Sequence, residues 1–169
     1  MPEGGRARGP GAGRLEEALR LDAQGLALME ELVAVVGRKE ALAVEGSGAA
    51  LHKLAAEDLE PLFEHLRAHA EAAASIAEAA HGDVAVVFSS ADVPQAAEAV
   101  AAREASMPAD AEGMWRLLKV ADFLEQDAQL KAELVNGLTH CSTTAEVMAA
   151  RILWGTRPWL EHDALRGTS

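Results

Sequence analysis

The stretch that decides the fold is AAEDLEPLFEHLRAHAEAAASIAEAA, residues 55–80. At about 100° per residue, its leucines, Phe63 and several alanines fall on one side and its glutamates gather on the other. This division predicts an amphipathic α-helix. Because Pro61 lacks a backbone donor and crowds the preceding turn, we expect the regular helix to begin near Asp58 or Leu59. The small side chains of its second half predict close pairing with another helix.

A second helical pattern precedes this stretch. Apolar residues at spacings of three and four predict a helix over residues 14–36, ended by Gly37. Leu28 and Val35 lie off its main stripe, and the resulting wide apolar arc is typical of a helix that is covered on more than one side. Two surfaces are therefore predicted to mediate self-association, residues 26–36 and the alanine-rich residues 70–80.

Two short segments are ambiguous between helix and strand. The segment DVAVVFSS, residues 83–90, concentrates β-branched residues and a phenylalanine, and a shorter apolar run lies near residues 41–45. Since a strand needs a partner, a buried helical turn is favoured over residues 83–90. The alternative is an α+β fold with a two-stranded element formed by residues 41–45 and 83–88.

The last third of the chain is again helical in pattern. Capping residues predict a helix from about residue 92 to 103, and a further helix is expected to begin near Asp110. Its apolar stripe changes side, which favours a break near Gln126-Asp127. The sequence Thr143-Thr144-Ala145-Glu146 has the spacing of a capping box and predicts a final helix through Trp154.

These patterns predict an all-α protein, an irregular or orthogonal bundle of five to seven helices. A chain of 169 residues has the length of one domain and can bury a core of its own. We therefore expect a single helical domain over residues 14–169. The preceding segment MPEGGRARGPGAG, residues 1–13, is rich in glycine, proline and arginine and is predicted to be a disordered arm.

Charge and hydropathy exclude several classes of partner. The 15 basic and 27 acidic residues give a net charge of −12, which repels phosphate backbones and anionic lipid surfaces. No apolar run approaches the roughly 20 residues that cross a bilayer. We expect a cytoplasmic protein that binds neither nucleic acid nor membranes, and the lone Cys141 is consistent with a reducing compartment. A basic protein partner is favoured over an acidic one.

The candidate chemistry is limited to one group of histidines. No nucleophile motif, phosphate-binding loop or complete ligand set is present, so we assign no catalytic residue. His65 and His69 lie one turn apart on the predicted helix, and imidazoles at this spacing can share a transition-metal ion. Others that can complete such a site include His81 and a glutamate from another helix. The predicted metal or ligand residues are His65, His69, His140 and Cys141.

The function predicted from these features is a non-catalytic helical interaction, adaptor or regulatory domain that forms homo-oligomers. Tryptophan is favoured in binding surfaces, and Trp159 follows a proline beyond the last predicted helix. The predicted interaction surface consists of Leu28, Val35, Trp154 and Trp159. The alternative function is a small-ligand or metal-binding helical domain that uses His65 and His69.

Overall fold

The computed structural model describes residues 12–90 and 109–156, and within them the chain is helical apart from short connections. A short helix and a π-helical turn, Ala55–Leu59, lead directly into the second of four long helices. No helix in the described ranges is both long and apolar enough to cross a membrane. The helices are α1 (Ala12–Glu45), the short α2 (Gly48–Leu54), α3 (Glu60–Ser90), α4 (Ala109–Gly137) and α5 (Thr144–Thr156).

The all-α prediction is confirmed, whereas the α+β alternative is wrong. Residues 41–45 belong to α1 and residues 83–88 to α3, so neither predicted strand forms. The count of five to seven helices is not confirmed, because the described residues form four long ones. The predicted arm, residues 1–13, lies outside the described residues except for its last two, which begin α1, and the predicted helix over residues 92–103 lies outside them entirely.

Helix α1 is longer than the sequence pattern predicts. It continues through Gly37 to Glu45, although a glycine inside a helix costs about 1 kcal/mol relative to alanine. Tertiary contacts beyond Gly37 offset that cost: the Lys39 ammonium donates to two carbonyl oxygens of the α4–α5 loop, at 2.8 and 2.9 Å. The helix ends at Gly46, whose φ of 73° is a conformation that glycine adopts without steric penalty.

A π-helical turn explains how Pro61 lies inside a continuous helical segment. The backbone N–H of Glu60 donates to the carbonyl of Ala55, five residues earlier. This wider hydrogen-bonding pattern ends immediately before Pro61, the residue that has no N–H to donate. The local change in register therefore joins α2 to α3 without a loop.

Helix α4 is unbroken, so the predicted break near Gln126-Asp127 is wrong. Its buried residues, from Leu117 to Val135, lie three or four positions apart and form one stripe, which packs antiparallel to α3 and also contacts α1 and α5. Asp127, which suggested the break, is only 3% exposed and pairs with Lys131 inside the protein. A polar residue inside an apolar pattern here marks a buried ion pair.

The core consists of two clusters of apolar side chains. One cluster centres on Phe63 and Met29 and includes Trp154 of α5. The other lies between α3 and α4, where the alanines predicted to allow close approach, such as Ala77 and Ala80, pack against Ala121. The alanine-rich residues 70–80 therefore pair with a helix of the same chain.

Candidate functional site

A buried cluster of charged side chains joins two helices, α1 and α4. On α4, Asp127 and Lys131 lie one turn apart, and Asp22 of α1 faces them. The Lys131 ammonium donates to one oxygen of each carboxylate. All three side chains are at most 6% exposed. The ammonium is therefore held between two carboxylates and is shielded from solvent.

Trp154 of α5 covers this cluster. The Lys131 nitrogen lies 5.6 Å from the centroid of the Trp154 ring, which is within the range of a cation–π contact. Gly25 of α1 makes room for the indole, since a Cβ at that position would lie 2.5 Å from a ring carbon of Trp154. The indole nitrogen is buried and has no hydrogen-bond partner among the described residues. The cluster thus connects α1, α4 and α5 at one point.

The geometry of this cluster suits a structural role. Buried charges are costly unless they are paired, and an ion pair that links helices fixes their relative register. Sequence reasoning missed the cluster, although two signals were present. Asp127 and Lys131 have the spacing of a helical ion pair, and Asp22 interrupts an apolar stripe. The pairing of Asp22 with α4 depends on tertiary packing and leaves no signal of its own.

A second mixed cluster lies at the surface between α3 and α4. His81 of α3 donates through Nε2 to the Glu125 carboxylate, at 3.1 Å. Asp122 lies one turn before Glu125 on α4, and the three side chains each bring a potential ligand atom within 4.8 Å of the others. It is the one group of three such donors among the described residues that meets this distance. The sequence predicted that His81 could complete a metal site with His65 and His69. In the structure it is instead hydrogen-bonded to Glu125 of α4.

The two histidines predicted to bind a metal are placed differently from each other. His65 is exposed, whereas His69 is partly buried and donates through Nδ1 to the His65 carbonyl oxygen, at 3.1 Å. The other ring nitrogen of His69, Nε2, is buried and has no partner in the described part of the chain. His69 thus has one nitrogen available, but no third donor from residues 12–90 and 109–156 joins the pair within 4.8 Å.

The other two predicted ligands lie in the loop between α4 and α5. His140 donates to Glu60 of α3 at 2.7 Å, and its ring packs edge-on against Phe63 with 5.1 Å between the centroids. Cys141 is exposed. These contacts give His140 a role in attaching the loop to the start of α3. The structure does not bring His140 and Cys141 into one ligand group with the predicted pair.

The N-terminus of α5 is held by two carboxylates. The predicted capping box is confirmed: the Thr143 N–H donates to the Glu146 carboxylate, and the Glu146 N–H donates to the Thr143 hydroxyl. Glu40 of α1 accepts hydrogen bonds from the backbone and hydroxyl of Thr144. These bonds, the backbone bond first, lower the pKa of Glu40, and those from Thr143 likewise lower the pKa of Glu146. Both carboxylates stabilise the helix N-terminus in their ionised form.

A groove of about 620 Å³ between α1 and α3 carries basic and apolar side chains. Arg14 lines it and donates to Asp83 at 3.1 Å. The hydrogen bond and charge of Asp83 raise the pKa of Arg14. Because this guanidinium already has a carboxylate partner on α3, it serves to connect the two helices, and the groove shows no converging set of donors for a ligand.

The outer side of α5 is apolar and exposed. Met148, Ile152 and Leu153 are between 47 and 56% exposed. At about 100° per residue they fall on one arc with Ala145 and Ala149, and the charged residues of the helix lie outside it. The opposite side of α5 is buried against α1 and α4. This outer arc, from Ala145 to Leu153, is called the α5 face below.

The residues predicted to form an interaction surface do not lie together at the surface. Val35 and Trp154 are only 2 and 3% exposed, so the structure corrects both assignments: their side chains fill the core of the chain itself. Leu28 is partly buried against the same cluster. Trp159 lies outside the described residues. The wide apolar arc of α1 is covered by the other helices of this chain.

The described residues define an all-α protein with four long helices around two apolar clusters. Comparisons of the chain with protein-family models, with curated proteins and with solved structures found no match in any of the three. The function is therefore inferred from side-chain geometry.

Proposed function

We propose that this chain is a non-catalytic helical interaction protein that self-associates through the α5 face. The observation that supports this proposal is the exposure of Met148, Ile152 and Leu153 on one arc of a helix whose other side is buried. A helix with apolar residues on two opposite sides is usually covered on both, by its own chain or by a partner. Contiguous exposed apolar patches commonly mark interaction surfaces.

The charge distribution favours a second copy of the chain as the partner. Each copy carries a net charge of −12, so two copies repel each other over most of their surfaces. The α5 face holds no charged residue; Arg151 beside one edge is paired with Glu30 of α1, and Glu146 beside the other edge accepts a hydrogen bond from Thr143. Two copies related by a two-fold axis can therefore bring these faces together without placing like charges in contact.

The expected association is weak. Burying a leucine, isoleucine or methionine completely contributes about 1.5–3 kcal/mol, so a side chain that is half exposed has about 1 kcal/mol left to gain. The three large residues of each copy then contribute about 6 kcal/mol to a symmetric pair. Because association costs about 4 kcal/mol or more, these side chains leave a net gain of only about 2 kcal/mol, and we expect a dimer that forms only at millimolar concentrations and above.

Sedimentation velocity of the full chain over this concentration range tests the proposal. We expect a monomer–dimer equilibrium that Ile152→Glu shifts strongly to monomer, because it places a charge at the centre of the α5 face. Val44→Glu is the matched control, since Val44 is 90% exposed near the end of α1 and is not part of that face. Moderate salt should strengthen the dimer because it screens the repulsion between acidic copies.

Three results would contradict self-association through the α5 face. A chain that stays monomeric throughout the millimolar range has no such interface. A dimer that Ile152→Glu leaves intact uses another surface. A dimer that weakens with moderate salt is held together by attraction between opposite charges, and not by burial of the apolar α5 face. Thermal unfolding of both variants in the monomeric range checks that the substitutions leave the fold intact.

A further inference from the structure

Three potential metal ligands meet where α3 and α4 pack side by side. Asp122 and Glu125 are three residues apart on α4, so their carboxylates project from the same side of the helix. The antiparallel packing of α3 places His81 opposite them, with its Nε2 atom 3.1 Å from Glu125. From this arrangement we propose that His81, Asp122 and Glu125 bind a divalent transition-metal ion.

The hydrogen bonds around these residues leave ligand atoms available. Glu125 contacts His81 with one carboxylate oxygen, and its other oxygen accepts a hydrogen bond from Gln129, one turn later, at 3.4 Å. This second bond orients the carboxylate, as outer hydrogen bonds orient metal ligands generally. Among the described residues, Asp122 makes no hydrogen bond or ion pair that would occupy its carboxylate. One imidazole and two carboxylates therefore face a shared space.

The donor set defines the class of ion. Imidazole nitrogen favours zinc, nickel, copper and iron, and carboxylate oxygen broadens the set toward manganese. Around a tetrahedral zinc ion with bonds of about 2.0–2.2 Å, ligand atoms lie about 3.3 Å apart. The ligand atoms of this site are within 4.8 Å of one another. The three side chains are at least partly exposed, so they can rotate toward a shared ion.

Charge and coordination number set the expected affinity. The net charge of −12 attracts cations to the surface. Two carboxylates neutralise a divalent ion, and when Nε2 of the neutral His81 ring binds the ion, the proton that it donated to Glu125 is carried by Nδ1 instead. Three protein ligands leave a fourth position open to water, as in open zinc sites. We expect one ion per chain and a Kd in the micromolar range, with the ion bridging α3 and α4.

Isothermal titration of the untagged full chain with Zn²⁺ tests the site, and Co²⁺ absorption reports the ligand geometry. We expect His81→Ala to weaken binding by about tenfold or more, and the combined Asp122→Asn and Glu125→Gln variant to do the same. The matched control is His65→Ala with His69→Ala, which removes two helical histidines outside the proposed site. That control variant should retain full stoichiometry and affinity.

The measurement separates this site from other modes of zinc binding. Binding that His81→Ala leaves unchanged, or that is lost in the control variant, would overturn the proposal in favour of the histidine pair on α3. No binding up to millimolar Zn²⁺ would overturn it outright. Circular dichroism melting of the metal-free variants verifies folding, and Zn²⁺ should raise the melting temperature of the parent and of the control but not of His81→Ala.

Discussion

Two clusters on α4 have a similar composition and opposite surroundings. Lys131 with Asp22 and Asp127 is a basic nitrogen between two carboxylates, at most 6% exposed. His81, Glu125 and Asp122 also combine a basic nitrogen with two carboxylates, but His81 contacts only Glu125, and these two side chains are 39 and 52% exposed. In the first cluster the ammonium ion already occupies the position between the carboxylates. In the second cluster, the space between the carboxylates is accessible to an ion from solution. The difference in burial therefore distinguishes a structural cluster from a candidate binding site.

Removing the buried cation should have the largest effect. Lys131→Met leaves Asp22 and Asp127 buried without a positive partner, and we expect a loss of about 3–5 kcal/mol in the free energy of unfolding. Urea unfolding followed by circular dichroism measures it. Replacing both aspartates with leucine in the same variant should recover much of that loss, because no buried charge is then left unpaired. A single Lys131→Met variant as stable as the parent would contradict the buried ion pair.

Substitution of one glycine beside each cluster tests how tightly the two regions are packed. Gly25→Ala places a Cβ 2.5 Å from a Trp154 ring carbon, and the required shift should cost about 1–3 kcal/mol. Gly82→Ala, next to His81, meets no atom within 4 Å and should stabilise α3 by about 0.5–1 kcal/mol. Thermal unfolding of the two variants tests the difference, and equal effects would show that the region around Trp154 is not tightly packed.

Acid should weaken the fold through carboxylates outside both clusters. The pKa values of Glu40 and Glu146 are lowered in the folded chain from the ordinary value of 4.5, so the folded state binds fewer protons than the unfolded state. Their contribution is fully present above that value and is lost as the pH falls through the lower folded pKa values. Glu40→Gln should reduce stability near neutral pH and flatten its decline in acid, as measured by urea unfolding at a series of pH values.

An unchanged acid dependence in the Glu40→Gln variant would contradict this explanation. Thr144→Val is the matched variant, because it removes the hydroxyl donor to Glu40 and leaves the backbone donor in place. It should raise the Glu40 pKa only part of the way toward its ordinary value and have the smaller effect of the two.

The smallest effect is expected at the open cluster. Without metal, His81→Ala should change the free energy of unfolding by less than about 0.5 kcal/mol, since an exposed ion pair contributes little. The difference between this change in the free energy of unfolding and that of Lys131→Met, measured under the same conditions, shows how strongly burial affects the contribution of each cluster to stability. A loss above 1 kcal/mol at His81 in metal-free buffer would show that its contact with Glu125 is structural.

The sequence predicted those features whose signals are local. The division of residues 55–80 into an apolar side and a charged side predicted a helix with alanines in close contact. In the structure those alanines pack against α4. The capping box at Thr143 and Glu146 was also predicted, because both hydrogen bonds join residues three apart. Such features need no knowledge of the rest of the fold.

Features that depend on distant partners were missed. Gly37 was expected to end α1, yet contacts of Lys39 with the α4–α5 loop hold the helix beyond it. A break near Gln126-Asp127 was expected because the apolar stripe changes side there, whereas α4 is continuous and buries Asp127 beside its partner Lys131. The pairing of His81 with Glu125 spans 44 positions, and only the packing of α3 against α4 creates it.

The sequence by itself determined the helical class, the net charge and the capping box of α5, because periodicity, charge and short-range hydrogen bonds are properties of the chain at close spacing. Tertiary structure alone decided which apolar sides became core and which, like the α5 face, remained exposed. It also decided which charged groups were enclosed and which stayed accessible. The physical reason is that burial and ion pairing are properties of neighbours in space, and these neighbours are set only when the helices pack.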